Sequence, residues 1–225
     1  MTRFRLAVAV VMTMWIAFAG AAATKAADQT ASELAQALQR RIDAIKDFST
    51  DFVHSYQGGV LKKQITERGH LLVKKPGKMR WDYKSPEEKV FVSDGHRVYL
   101  HVPAENQVIV SPVPEQDQAT TAVLFLVGKG NLTRDFTVSY VDGGGPDTYA
   151  LRLQPKLPER DYDWLQLVVD RRTLQIRTLS AADSQGGRST FHFSNFKENT
   201  GLSDKTFIFK IPRGADVTTT GAPSR

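Results

Sequence analysis

The side chains best suited to acid–base work or metal binding are five histidines, His54, His70, His96, His101 and His192. Imidazole is the group that titrates near neutral pH, and it is the commonest metal ligand. None of the five stands at ligand spacing from another His, Asp or Glu on a helix. His54, His101 and His192 fall inside alternating, strand-like stretches, where a hydrogen-bonded structural histidine is the commoner outcome. Asp161 and Asp163 in "PERDYDW" form an acid pair in a turn, suited either to a cation or to water. Gly143–Gly145 has no helix after it, so it reads as a turn and not as a phosphate cradle. There is no G-x-S-x-G, H-E-x-x-H or Walker A pattern. The chain has no cysteine, which removes thiol chemistry, Cys-based metal sites and disulfides. No nucleophile with a base in reach emerges, so the sequence offers no catalytic set.

The remaining chemistry is solvation. In "GHLLVKKPGKMRWDY" (Gly69–Tyr83), Met79, Trp81 and Tyr83 share one parity, and Lys78, Arg80 and Asp82 share the other. A strand with this alternation has one wet and one dry face. The dry face meets either a permanent core or an apolar ligand. The same question attaches to Phe48, Phe52, Phe91, Tyr99, Leu100, Phe191, Phe193, Phe207 and Phe209. Each alone is more readily a core residue; as a set they suggest an apolar interior.

The elements that would position them follow from periodicity. "TASELAQALQRRIDAI" predicts a helix with a Thr30/Glu33 capping box and an apolar stripe of Leu34, Leu38, Ile42 and Ile45, opposed by Gln39, Arg40 and Asp43. Beyond it the period is two. "FSTDFVHSY" places Phe48, Thr50, Phe52, His54 and Tyr56 on one face. Asp94-Gly95 marks a hairpin. "NQVIVSPV", "FTVSYV", "TYALRLQP", "DWLQLVVD", "LQIRTLSAAD", "STFHFSNF" and "KTFIFKIP" continue the series, with further hairpins at Asp170–Thr173 and Ser184–Gly187. The expectation is about ten or eleven antiparallel strands in one large curved sheet or barrel. The segment "QATTAVLFLVGKG" breaks the period and reads as a buried strand or a short helix. The tail "GADVTTTGAPSR", from about residue 215, is expected to be loose.

Residues 1–23 read as a secretory signal peptide. Arg3 and Arg5 precede an apolar run and a small-residue site, with cleavage before Thr24 or after Ala26. An uncleaved anchor is the alternative. Residues 24–225 then form one exported domain, periplasmic and soluble. Removing Arg3 and Arg5 leaves 28 basic against 24 acidic residues, too mild and scattered for nucleic acid.

Taken in order, these stretches resemble the periplasmic outer-membrane lipoprotein carriers, the LolA family. The likeness runs through the helix and Phe48–His54, "GHLLVKKPGKMRWDY", Pro86 with "VSDG", "TAVLFLVGKG", and "FIFKIPRGADV" as F-x-F-x-x-P-x-G-x-x-V. It implies a mainly β fold with an α-helical lid: an unclosed antiparallel β-barrel covered by short helices around an apolar cavity. It implies a cavity lined by Phe52, Leu72, Met79, Trp81, Tyr83, Phe91 and Leu100, and a lid using Leu34, Leu38, Val123, Leu124, Phe125 and Leu126. It implies as partners acylated lipoproteins, an inner-membrane ABC-type releasing complex and an outer-membrane receptor, with no cofactor and a monomeric carrier. Two positions depart from the family. Lys75 stands where an arginine usually latches the lid, and lysine lacks the guanidinium fork. His54 stands where glutamine is usual. The alternatives are a periplasmic lipid-binding or envelope-stress sensor module on the same half-barrel, disfavoured by the absence of a second domain after the last strand, and an envelope protein whose dry face is permanently packed.

Overall fold

The computed structural model describes residues 29–59, 64–113, 130–159 and 162–220. The signal segment, Asp161, and Val123, Leu124, Phe125 and Leu126 lie outside these residues.

Helix α1 runs Ala31–Ala44. Thr30 and Glu33 form the predicted capping box: the Thr30 hydroxyl accepts from the Glu33 N–H at 3.2 Å, and the Glu33 carboxylate accepts from the Thr30 N–H at 2.8 Å. Leu34, Leu38 and Ile42 are buried, each contributing roughly 2 kcal/mol by the area they withdraw from water. Gln39 departs from its expected place on the wet face. It is buried, donating to Asp43 at 2.8 Å and accepting the Leu132 N–H at 2.8 Å. That N–H opens the short helix α2 (Leu132–Asp135). Gln39 thus satisfies an N-terminal donor that would otherwise be buried without a partner.

Among the described residues, twelve strands form one sheet: β1 Asp47–Gln57, β2 Gln64–Lys74, β3 Lys78–Ser85, β4 Lys89–Asp94, β5 Arg97–Val102, β6 Gln107–Pro112, β7 Phe136–Tyr140, β8 Thr148–Pro155, β9 Trp164–Asp170, β10 Ile176–Ala182, β11 Arg188–Glu198 and β12 Asp216–Thr219. Their order is β12-β6-β5-β4-β3-β2-β1-β11-β10-β9-β8-β7. Every pairing among these strands is antiparallel except β12 with β6. The first meander, β1–β6, joins the second, β7–β11, through the β1–β11 ladder. The terminal strands β12 and β7 do not pair with each other, so the barrel is unclosed.

Ladder register assigns the faces, because directly paired residues project to the same side. Thr50, Leu71, Trp81 and Phe91 form one row across β1, β2, β3 and β4. His54, Phe191, Leu179, Leu167 and Leu151 form another across β1, β11, β10, β9 and β8. Residues from both rows share one buried cluster with Leu34, Leu38 and Ile42 of α1. Strands this far apart in the sheet meet one helix only if the sheet wraps around it.

Three expectations are corrected. "KTFIFKIP" is not a strand. The Ser203 hydroxyl caps a 3-10 turn at Asp204–Phe207, and the segment lies against β3 and β4. Its alternation is real, but it reflects packing across the outer face. There Phe207 is buried and Phe209 stacks on Tyr99 at 5.4 Å, over the outward row Val92, Tyr99 and Val110. The tail is ordered at Asp216–Thr219, where the Asp216 N–H donates to the Asn106 carbonyl at 2.8 Å. Leu72 belongs to the outer face: it pairs with Ser49 and Arg80, while Leu71 and Val73 on either side are fully buried inside. Its apolar side chain suggested the cavity; the strand's parity sends it the other way.

Gly69 explains how so many rings fit. A Cβ there would stand 2.2 Å from the Asp82 carbonyl oxygen and 2.8 Å from Cζ of Phe52. The missing side chain is where Phe52 lies against the sheet. Gly69→Ala is expected to lower stability by about 2 kcal/mol, the cost typical of overpacking, read as a shifted denaturant midpoint.

Candidate functional site

The inner face carries most of the side chains singled out by the sequence, while Leu72, Tyr99, Phe207 and Phe209 lie on the outer side. Phe52, Met79 and Trp81 are almost fully buried. Tyr83, Phe91 and Leu100 are half-buried; Phe91 and Leu100 are ladder partners. Phe52 is the hub of an aromatic wall. Its ring meets Trp81 edge-on at 4.9 Å and Tyr83 at 5.1 Å, with Phe191 at 6.3 Å. Phe191 lies 5.5 Å from Trp81 and stacks parallel to Phe193 at 6.2 Å. Alternation placed Phe191 and Phe193 on a strand, but only the β1–β11 pairing, across about 140 residues, brings them to Phe52.

Against this wall α1 is seated, and its C-terminal end is clasped from two sides. Nζ of Lys75, on the β2–β3 turn, donates to the Ile42 carbonyl. That oxygen also accepts the Ile45 N–H at 3.1 Å, so the lysine caps an open helix end. Burial pushes the Lys75 ammonium below its ordinary range, and the nearby Asp43 carboxylate opposes that shift. On the other side Arg41 pairs with Glu198 of β11. The chain leaving the helix is tied to the same loop: the Lys46 N–H donates to Asn199 at 2.8 Å, and the Asp47 carboxylate accepts from Thr200 and Gly201. Between the clasps lies a cavity of about 30 Å³, lined by Ile42, Ile45, Phe48, Ile176, Phe193 and Phe196 among others. It has room for little more than about one or two water molecules. In this state α1 itself occupies the interior. Arg41 and Glu198 carried no signal in the sequence; they are 157 residues apart.

His54, the second departure, also faces inward. Its Nδ1 lies 2.9 Å from Oε2 of Glu67, and its Nε2 lies 2.8 Å from Oγ of Ser189. Lys89 donates to the other Glu67 oxygen while its ammonium sits 4.4 Å from the Tyr83 ring centroid. Burial pushes the Glu67 carboxyl up, but hydrogen bonds from Lys89 and His54 outweigh it and hold the group below its ordinary 4.5. A carboxyl depressed in the folded state stabilises the fold above its unfolded value, and that stability is lost as pH falls through the folded value. The stability advantage of the native chain over Glu67→Gln is therefore expected at neutral pH and should vanish as pH drops well below about 4.5, in thermal unfolding followed from about pH 7 to about pH 3. Among the described residues no three His, Asp or Glu side chains gather in a metal-binding group. No helix among them is long and apolar enough to cross a membrane.

Together these features define a class: an unclosed antiparallel β-barrel with a helix seated in its aromatic interior and clasped at one end. The comparisons agree. Residues 43–210 match the family model described as outer membrane lipoprotein carrier protein LolA. An outer-membrane lipoprotein carrier protein of Chromohalobacter salexigens is 30% identical over 217 residues, covering 96% of this chain and 98% of that one. One from Hahella chejuensis is 29% identical over 185 residues, covering 80% and 86%. Among solved structures, an uncharacterized conserved protein from Thermus thermophilus shares the fold at a TM-score of 0.53 and 13% identity, covering 82% of this chain and 98% of that one. The chain belongs to the LolA family of outer-membrane lipoprotein carriers.

Proposed function

We propose that this protein carries lipoproteins across the periplasm by sheltering their acyl chains on the aromatic inner wall. The observation that carries the reading is that wall: one continuous apolar face from β4 round to β8, covered by a helix whose end is held by two polar clasps. An acyl chain exposed to water costs roughly 0.8 kcal/mol per methylene, so a multi-chain anchor needs cover throughout transit. The cover must also be surrendered on arrival. In the empty carrier Leu34, Leu38 and Ile42 fill the wall; when cargo enters, the helix yields that surface, and the cost of displacing it keeps binding reversible. Lys75 is the latch in this reading, holding the Ile42 carbonyl with an ammonium where the family usually uses an arginine. Phe52, Met79, Trp81, Tyr83, Phe91 and Leu100 contact the chains.

The donor is an inner-membrane ABC-type releasing complex and the acceptor an outer-membrane receptor. ATP hydrolysed at the inner membrane supplies the energy, and the carrier itself uses no cofactor and catalyses no reaction. Residues 1–23 direct export, and the mature carrier works as a monomer. The test is release. Mature protein is added to proteoliposomes holding triacylated lipoprotein, the releasing complex and ATP. ATP-dependent appearance of lipoprotein in the soluble fraction, one per carrier, supports the reading. No release while lipid still displaces an apolar fluorescent probe points to the sensor module, and no release without probe binding makes the wall an ordinary core.

A further inference from the structure

The aromatic wall ends in charge. Glu67 of β2, Lys89 of β4, His54 of β1 and Ser189 of β11 all project into the interior, on the same side as Phe52 and Trp81. Lys89 reaches over the Tyr83 ring to Glu67, and His54 lies flat on Phe191 with centroids 4.1 Å apart. The result is a polar girdle across five adjacent strands, set directly against the apolar wall. Stability alone does not account for it, because an ion pair withdrawn from water is often no better than apolar residues of the same volume.

The girdle's hydrogen-bonding balance is lopsided. Both Glu67 oxygens are engaged, by His54 and by Lys89. Lys89 has three donors and uses one on a described residue. The Tyr83 hydroxyl donates to none of the described residues. Burial, together with the Glu67 charge, pushes that phenol far above its ordinary range, so it remains a donor. What is left over is donor capacity in a neutral setting, since Glu67 balances Lys89. Such a site suits an uncharged acceptor better than an anion, which would meet Glu67.

We infer that the girdle binds the ester carbonyls of the cargo's acyl chains, with the Tyr83 hydroxyl and the Lys89 ammonium as donors. The hydrocarbon then lies along the wall toward Phe48 and the clasped helix end, six residues away on β1 and roughly 20 Å. The assignment rests on the carrier reading and adds which end of the lipid lies where.

The test compares two probes on the mature protein: an S-diacylglyceryl cysteine amide and its dialkyl ether analogue of equal chain length, which lacks the carbonyls. The native protein is expected to prefer the ester by about five- to tenfold, as one or two net hydrogen bonds allow. Tyr83→Phe should lose most of that preference, and Lys89→Gln should reduce it as well, each read as the ratio of ester to ether affinity within one variant, with thermal unfolding recorded to establish folding. Equal affinity for ester and ether in the native protein, or a full preference retained in both variants, overturns the girdle site while leaving the carrier standing. Failure of both probes to bind overturns the site and the carrier reading together.

Discussion

Met79→Glu is expected to leave lipoprotein on the membrane in the release assay, while Leu72→Glu on the neighbouring strand should release it normally. The two positions differ in side, not in polarity. Met79 is 4% exposed, paired with Val73 and Ser93 on the inner wall. A carboxylate placed there has no cation facing it among its ladder partners and costs several kcal/mol while buried. Displacing α1 to hydrate the charge relieves that cost but makes the wall hostile to acyl chains. The variant is therefore expected to unfold several degrees lower and to bind no apolar probe. Phe91→Glu, at a half-buried wall position, makes the same test with less risk to folding. Leu72 pairs with Ser49 and Arg80 outside, so a carboxylate there meets a guanidinium and water, with stability changed by about 0.5 kcal/mol or less. Normal release by Met79→Glu and Phe91→Glu would sink the wall; loss of release in Leu72→Glu would sink the face assignment.

Lys75→Ala and Arg41→Ala should each tighten lipid binding and slow its handover. Each clasp favours the helix-seated state, so apparent affinity is the intrinsic affinity reduced by the fraction of molecules in which the wall is free. The Arg41–Glu198 pair is discounted for solvent, its side chains being 29% and 22% exposed. Its Nε is buried without a partner, which weakens the clasp further. A fewfold gain in probe affinity is expected from Arg41→Ala. Lys75→Ala, which removes a charged hydrogen bond to a helix carbonyl, should give on the order of tenfold. The double variant tests whether the clasps act on one motion. If both hold the same helix, the free-energy changes add, and transfer to receptor-loaded vesicles slows in step. Weaker probe binding in both single variants would mean that the clasps build the site and do not gate it.

The local elements were legible because their causes are local. The Thr30/Glu33 box and the Leu34, Leu38 and Ile42 stripe lie within one helix, and the Asp94-Gly95 hairpin within one turn, where the Asp94 carboxylate accepts the His96 and Arg97 N–H groups at 2.7 Å. Alternation likewise placed Met79, Trp81 and Tyr83 on one side of β3. Where sequence reading failed, two surfaces of the sheet were apolar at once. Leu72 and Phe207 are as hydrophobic as the wall residues, but the C-terminal segment folds over the outer face of β3–β5 and gives that side a core of its own. Parity says which residues share a side; it does not say which side is inside.

Strand pattern, capping and the family likeness were thus carried by the sequence, through interactions spanning a few residues or motifs in a fixed order. The meeting of Phe52 with Phe191, the clasp of Arg41 on Glu198 and the girdle joining His54 to Glu67, Ser189 and Lys89 were decided by the fold. They depend on the β1–β11 ladder and on the curl of a twelve-stranded sheet around one helix. Each joins side chains whose types suit many roles, and only distance and shared burial select the one they hold here.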